Sequence, residues 1–176
     1  MELNLHPIFV HFPIALLCTY ALFELVPSKK LGASMSWFRT KAILAIFGTL
    51  TAFVALQTGE MIEDAFKGQW KNIVELHSAW AVASTWIFGI AATLYLLEWI
   101  RREGQPITSK LEQWEWSKEI FSMILKIESL LMKKPILILL ALAGLAAMTI
   151  TGALGGIIAH GPDTDPVTQW IYNFIK

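Results

Sequence analysis

The sequence predicts an all-α integral membrane protein: a four-helix up-down bundle with an extra cytoplasmic amphipathic helix between spans three and four. Composition is the first observation, because 55% of the residues are hydrophobic and 16% are charged, against about 25% charged in soluble domains. The mean hydropathy is +0.53. Four separate apolar runs each come close to the ~20 residues that a helix needs to cross the hydrocarbon layer. Residues 1–176 therefore form a single membrane domain, since four spans and their connections use nearly the whole chain.

The first span is predicted over Ile8–Val26. Pro7 lies just before it and suits the first turn of a helix. Pro13 follows one or two turns later and removes a backbone donor, so we expect an irregular backbone around His11. The run is too long and too interrupted by polar residues for a cleaved signal peptide, and it has no basic segment before it. We therefore expect a retained span.

The next three spans are predicted over Ala42–Met61, Ser78–Ile100 and Pro135–Ala159. Residues Ile107–Lys134, between the last two of these spans, have apolar residues at helical spacing on one face and charged residues on the other. This pattern is typical of an interfacial helix lying on the cytoplasmic leaflet. A surface helix packed on the bundle, or on a partner, is the alternative.

Basic residues predict the orientation. Eleven of the 14 Lys and Arg lie in the loop after span one and in the connection between spans three and four; Lys67, Lys71 and Lys176 are the other three. The positive-inside rule then places both termini on the extracytoplasmic side of a bacterial inner membrane. The lone Cys18 excludes an intramolecular disulfide. The net charge of +0 gives no indication of nucleic-acid binding.

All four histidines fall on the extracytoplasmic side of this topology: His6, His11, His77 and His160. Imidazole is a ligand for iron, copper and zinc. A helical bundle that offers imidazoles and no thiolate at that side is consistent with bis-histidine b-type haem. Four histidines can ligate two haems, or one haem with two supporting histidines. We expect His11 and His77 to be an axial pair, with Phe12 and Trp80 packed against the porphyrin.

Glycines share a stripe with one of these histidines. Gly144, Gly152, Gly156 and His160 lie four or eight residues apart, so they follow one face of span four. A planar porphyrin needs the space that missing side chains leave. Small residues at this spacing also permit close helix–helix packing, which is the alternative. We therefore predict haem-binding residues at the four histidines, Gly152 and Gly156.

Two other functions remain open. Glu60 lies on the histidine side and could complete a non-haem site for Zn, Cu or Fe with the same histidines. The chain could also be a non-catalytic accessory or assembly subunit of a larger membrane complex. Because no nucleophile elbow, phosphate loop or dinucleotide motif occurs, an electron carrier or redox subunit is expected rather than a stand-alone enzyme. The expected partners are the lipid bilayer and membrane redox proteins, with a quinol as one candidate electron donor.

The segment Leu5–Pro13 contains a His-Pro-x-x-x-His-Phe-Pro string that resembles the opening of a bacterial family of four-span membrane proteins, domain-of-unknown-function family 2231. The similarity extends to Thr58-Gly59-Glu60, to His77 at the start of span three and to Gly155-Gly156. The resemblance implies a four-span fold and an association with redox chemistry, since some members occur with cytochrome-type domains. The connection Arg102–Met132 is longer than the family pattern, which indicates docking to a larger complex.

Overall fold

A computed structural model describes residues 6–26, 34–63, 71–104, 115–163 and 165–175. These residues form helices and connecting turns, with no strand among them. The helices are α1 (His6–Leu25), α2 (Met35–Glu63), α3 (Lys71–Glu103), α4 (Glu115–Leu131), α5 (Lys134–His160) and α6 (Pro166–Ile175). Helices α1, α2, α3 and α5 are long and apolar enough to cross a membrane. The predicted class, an all-α bundle with four spans, is confirmed.

The four spans close into a ring in which α1 packs on α2, α2 on α3, α3 on α5 and α5 on α1. Alternating direction brings the start of α1, the end of α2, the start of α3 and the end of α5 to one end. We call this the histidine end, because His6 and His77 lie there. The opposite end, which we call the charged end, carries Glu24, Glu98 and Arg101 and packs against α4.

Helix α1 runs without interruption through Pro13, so the expectation of an irregular backbone around His11 is wrong. A proline inside a helix removes one hydrogen bond, here the one to the Phe9 carbonyl. The Pro13 ring is buried. Its burial and the apolar residues around it maintain the helix despite the missing donor.

The larger apolar cluster lies toward the charged end and takes side chains from all four spans. Tyr20 at its centre makes edge-to-face contacts with Phe88 and Tyr95, at ring-centroid distances of 6.1 and 5.7 Å. Alanines and glycines let the helices approach. A Cβ atom on Gly144 would lie 2.6 Å from Cζ of Phe88. Gly144 therefore permits close packing of α5 against α3. This was the alternative to a porphyrin-binding role for the glycines of span four.

Buried carboxylates hold the charged end together. Glu24 is 2% exposed, accepts hydrogen bonds from Lys41 Nζ at 3.0 and 3.1 Å, and accepts one from the Tyr95 hydroxyl at 2.5 Å. Glu98, equally buried, pairs with Arg101 and Arg102. Both carboxylates are thus matched by cations, as burial requires.

A smaller apolar cluster lies at the histidine end. Its buried members come from α3, α5 and α6 only: Ile73, Ala153, Leu154, Ile157 and Ile171. No described residue of α1 or α2 belongs to it. The apolar core that joins all four spans near the charged end therefore does not extend to the histidine end.

Helices α4 and α6 are amphipathic additions to the bundle. The apolar face of α4 is about half exposed: Ile120, Met123, Ile127 and Leu130. The predicted start of this helix at Ile107 lies outside the described residues. Helix α6 begins after Asp165, whose carboxylate accepts the N–H groups of Val167 and Thr168. The Thr168 N–H above all lowers the pKa of the Asp165 carboxyl, as an N-cap role predicts.

Candidate histidine site

His6 opens α1 and is anchored to α2. Its Nδ1 atom lies 3.1 Å from Oγ1 of Thr58. The Thr58 hydroxyl donates its one proton to the Ala55 carbonyl, at 2.9 Å. On this ground we assign the His6 proton to Nδ1, with Thr58 as its acceptor. The lone pair of the neutral imidazole is then on Nε2. The Ala55 backbone also hydrogen-bonds the His6 ring.

His77 lies in the second turn of α3 and is anchored to α5. Its Nδ1 is 2.9 Å from the carbonyl oxygen of Thr151. A carbonyl can only accept, so Nδ1 of His77 also carries the proton and Nε2 the lone pair. The Thr151 hydroxyl donates to the Ala147 carbonyl within its own helix. Each of the two histidines is thus hydrogen-bonded through Nδ1 to an oxygen of a different neighbouring helix.

Each imidazole packs against a glycine of the helix that anchors it. A Cβ atom on Gly59 would lie 3.2 Å from Cε1 of His6. A Cβ atom on Gly155 would lie 3.2 Å from Cε1 of His77. The missing side chains let both rings lie directly on helix backbone. The two imidazoles therefore pack on the helix backbone at these two glycines.

The histidine site consists of two matching halves. In one half, His6 with Thr58 and Gly59 joins α1 to α2. In the other half, His77 with Thr151 and Gly155 joins α3 to α5. All six residues are partly buried. The imidazoles of His6 and His77 are close enough to interact electrostatically. The structure therefore places two of the four predicted histidines partly buried at one end, one in each half of the bundle.

The other two histidines lie outside this pair. His11 is exposed, and its Nδ1–H donates to the Pro7 carbonyl in its own helix at 2.5 Å. Five residues separate it from His6, about 140° around an ideal helix. His160 is exposed at the last position of α5. The structure therefore supports His6 as the neighbour of His77, where the sequence led us to expect His11.

The remaining predicted site residues have different surroundings. Glu60 is exposed, and the described residues contain no group of three or more His, Cys, Asp and Glu placed to hold a metal ion. Gly152 faces open space, whereas a Cβ on Gly156 would lie 3.3 Å from Cγ2 of Thr168. Gly156 thus provides the contact surface for α6. Phe12 and Trp80 are 55% and 39% exposed, so neither packs into the bundle interior.

Sequence reasoning missed Thr58, Thr151 and Gly155 as site residues. Threonines are common in membrane helices, where their hydroxyls bond to the preceding turn, so neither stands out alone. The available signal was the pairing of Thr58 with Gly59, and of Thr151 with Gly155 one turn later. A threonine next to a glycine, or one turn before it, offers an acceptor beside bare helix backbone. An aromatic ring from another helix can pack at such a position.

Comparison with known proteins gives a family. The sequence matches, over residues 2–161, the family described as predicted membrane protein (DUF2231). The match spans all four long helices and both halves of the histidine site. No curated protein matches the chain, and no solved structure does. The chain therefore belongs to the DUF2231 family of predicted membrane proteins.

Proposed function

We propose that this protein is a membrane electron-transfer protein that holds one b-type haem through His6 and His77. The observation that carries the proposal is that Nδ1 of each imidazole is hydrogen-bonded to an oxygen of a neighbouring helix. Histidines that ligate a metal almost always donate their other ring N–H to a carbonyl, hydroxyl or carboxylate. His6 and His77 donate Nδ1–H in this way. Nε2 of each imidazole would then be the atom that could hold the haem iron.

The number of converging ligands favours haem over a non-haem metal. A zinc site takes three or four protein ligands, and the described residues contain no such group. A six-coordinate haem needs only two, because the porphyrin supplies four nitrogens. Two imidazoles are therefore a complete protein ligand set for haem, whereas a non-haem site would need additional ligands such as Glu60.

The surroundings of the pair fit a flat apolar group. Gly59 and Gly155 let the imidazoles lie back against helix backbone. The apolar cluster at this end leaves out α1 and α2, so the two halves of the site are not joined by a common apolar core. Haem, when bound, supplies reversible one-electron transfer. The residues of the chain fix the planes of the two imidazoles and keep a proton on each Nδ1. Helix α6, which packs on α5 at Gly156, would cover the site on one side.

The orientation of the site follows from charge. At the charged end the described basic residues include Arg39, Lys41, Arg101 and Arg102, while Lys71 is the described lysine nearest the histidine end. The positive-inside rule then places the charged end in the cytoplasm and the histidine end outside. In a bacterial inner membrane, electrons would pass between a membrane donor, a quinol being one candidate, and an outer carrier.

The second candidate function is that of an accessory subunit in a larger membrane complex. The exposed apolar faces of α4 and α6 favour it, with Trp170 69% and Phe174 82% exposed. In that case the hydrogen bonds of His6 and His77 would serve only to tie the helices together. The two candidate functions make opposite predictions for bound haem.

A reduced-minus-oxidised optical spectrum of the purified protein separates them, with a pyridine haemochrome count per chain. The protein should be expressed with haem available and extracted in mild detergent. We expect a sharp b-type α band and one haem per chain. A flat spectrum would overturn the haem proposal and favour the accessory subunit. Zinc or copper found by metal analysis, without a porphyrin spectrum, would favour the non-haem site.

A further inference from the structure

Glu128 is the unusual residue of α4. It lies between Ile124 and Leu131 on the face that packs against the bundle, and it is 1% exposed. Among the described residues no N–H or hydroxyl group donates a hydrogen bond to either of its carboxyl oxygens, and the carboxyl group beside it is that of Glu98. Buried polar groups are nearly always hydrogen-bonded, and an unpaired buried carboxylate is especially unfavourable. This position therefore favours the neutral, protonated acid.

The charged groups around Glu128 come from α3. The carboxylate of Glu98 faces it, already held by the Nε atoms of Arg101 and Arg102 at 2.6 Å each. Arg101 Nε lies 3.9 Å from Oε2 of Glu128, at the limit of an ion pair. Its guanidinium is half exposed and engaged by Glu98. Neither arginine is thus positioned to neutralise Glu128 fully.

Other charged side chains at this end are held elsewhere. On α2, Arg39 pairs with Glu103 and Lys41 pairs with Glu24. On α5, Lys134 donates to the Val26 carbonyl. The buried Glu128 therefore faces one carboxylate and two arginines that this carboxylate already binds.

Burial above all, and then the facing Glu98 carboxylate, raises the pKa of Glu128 from 4.5 to about 7, against the opposing effect of the arginines. The shift agrees with the geometry, because both causes disfavour the charged form. Two carboxyl groups in one site commonly share a proton for the same reason.

We propose that Glu98 and Glu128 form a proton-binding site at the charged end, and that the proton bound there holds α4 against α3. With the proton present, a neutral acid faces a carboxylate and can donate to it. Without the proton, two negative charges face each other in a buried site. Helix α4 then turns Glu128 toward water, while its apolar face stays available to the membrane interface.

The direction of the pH dependence follows from linkage. Glu128 binds its proton more tightly when α4 is docked than when it is released. Docking is therefore strongest at low pH and weakens as the pH rises from 4.5 to about 7. The docking equilibrium constant falls by up to about tenfold per pH unit in this window and levels off above it.

The test is a distance measurement between α2 and α4 in the full chain. Nitroxide labels at Ser36→Cys and Ser122→Cys, both exposed positions, are introduced with Cys18→Ser and studied in phosphatidylcholine nanodiscs from pH 5 to 8.5. We expect mainly one narrow distance at pH 5 and a longer population that grows up to about pH 7 and changes little above it. Glu128→Gln should keep the narrow distance throughout, since it cannot ionise.

Glu119→Gln is the matched control, because it removes the same charge from the exposed face of α4; it should keep the pH response. Glu128→Leu is a second neutral variant and should be docked at pH 8.5. The proposal is overturned by an unchanged distance between pH 5 and 8.5, by a pH response that persists in Glu128→Gln, or by release of α4 in both neutral variants.

Discussion

The two ends of the bundle differ in the polar groups that they hold between their helices and in how those groups are paired. At the charged end, Glu24 accepts hydrogen bonds from a lysine and a tyrosine, and Glu98 pairs with two arginines. Glu128 is the exception among these buried carboxyl groups, with Arg101 at 3.9 Å. At the histidine end the partly buried groups are two imidazoles, and each is fixed through Nδ1 by an oxygen of a neighbouring helix. Compensated charges tie helices together. Imidazoles anchored through one ring nitrogen have a fixed orientation, which is what ligand binding needs.

The difference also appears in the apolar packing. All four spans share one core near the charged end, built on Tyr20, Phe88 and Tyr95. The core at the histidine end excludes α1 and α2. We infer that most of the stability comes from the charged half, so that substitutions in the two halves should have different consequences.

The largest expected effect is on haem binding. His6→Ala or His77→Ala should abolish the b-type spectrum, because each removes one of two proposed axial ligands. His11→Ala and His160→Ala are the matched controls and should keep one haem per chain. The measurement is the pyridine haemochrome count. Retention in His6→Ala with loss in His11→Ala would contradict this pairing and restore His11 as the partner of His77.

The next effect is on the stability of the charged end. Lys41→Met leaves the 2%-exposed Glu24 carboxylate without its cation, which should cost about 3–5 kcal/mol. Thermal or denaturant unfolding in detergent measures this. The control is Lys71→Met, which breaks the exposed pair with Glu75 and should cost less than about 1 kcal/mol. Equal losses would mean that Glu24 is less isolated from water than its burial indicates.

An intermediate effect is expected at Thr58. Thr58→Val removes the acceptor of the His6 Nδ1–H, and loss of such an anchor typically lowers metal affinity by about 10–100-fold. Haem retention should fall in a titration against a competing haem-binding protein. Thr58→Ser restores the hydroxyl and should restore the affinity. If valine and serine behave alike, the hydrogen bond does not position His6 for haem.

A smaller effect separates two glycines of α5. A Cβ on Gly144 would lie 2.6 Å from the Phe88 ring, so Gly144→Ala should cost about 1–3 kcal/mol through overpacking. Among the described residues, no atom lies within 4 Å of the Cβ position of Gly152. Gly152→Ala should therefore leave stability unchanged or raise it by up to about 1 kcal/mol, since alanine favours helix. Unfolding of both variants under one condition tests this contrast.

The fold was largely predictable from sequence. The four apolar runs of span length predicted the four long helices. The bounds agree within about two residues for α1 and α5, whereas α2 and α3 extend further into polar sequence, over Met35–Glu63 and Lys71–Glu103. Hydropathy identifies the buried length of a helix and does not show where its polar ends stop. Pro13 was misleading, because local propensity is a weak guide where tertiary packing supports a helix.

The site was predictable only in part. The four histidines could be assigned to one side by topology, yet their pairing depends on how each helix is rotated about its axis. Exposure of His11 and proximity of His6 to His77 both follow from that rotation. Glu128 could have been noticed as an acid within the apolar stripe of α4, because Ile124 and Leu131 lie four residues before it and three after it.

Composition and hydropathy alone determined the all-α membrane class and the number of spans, because lipid requires long helices that satisfy their own backbone hydrogen bonds. The alternating direction of the spans then determined the end at which the histidines lie. Tertiary packing decided which imidazoles are anchored to a neighbouring helix, which oxygen anchors each, and which buried carboxyl group lies beside another carboxyl group. Those properties depend on contacts between residues far apart in the chain. His6 with Thr58 and His77 with Thr151, 52 and 74 residues apart, are the examples that define the site.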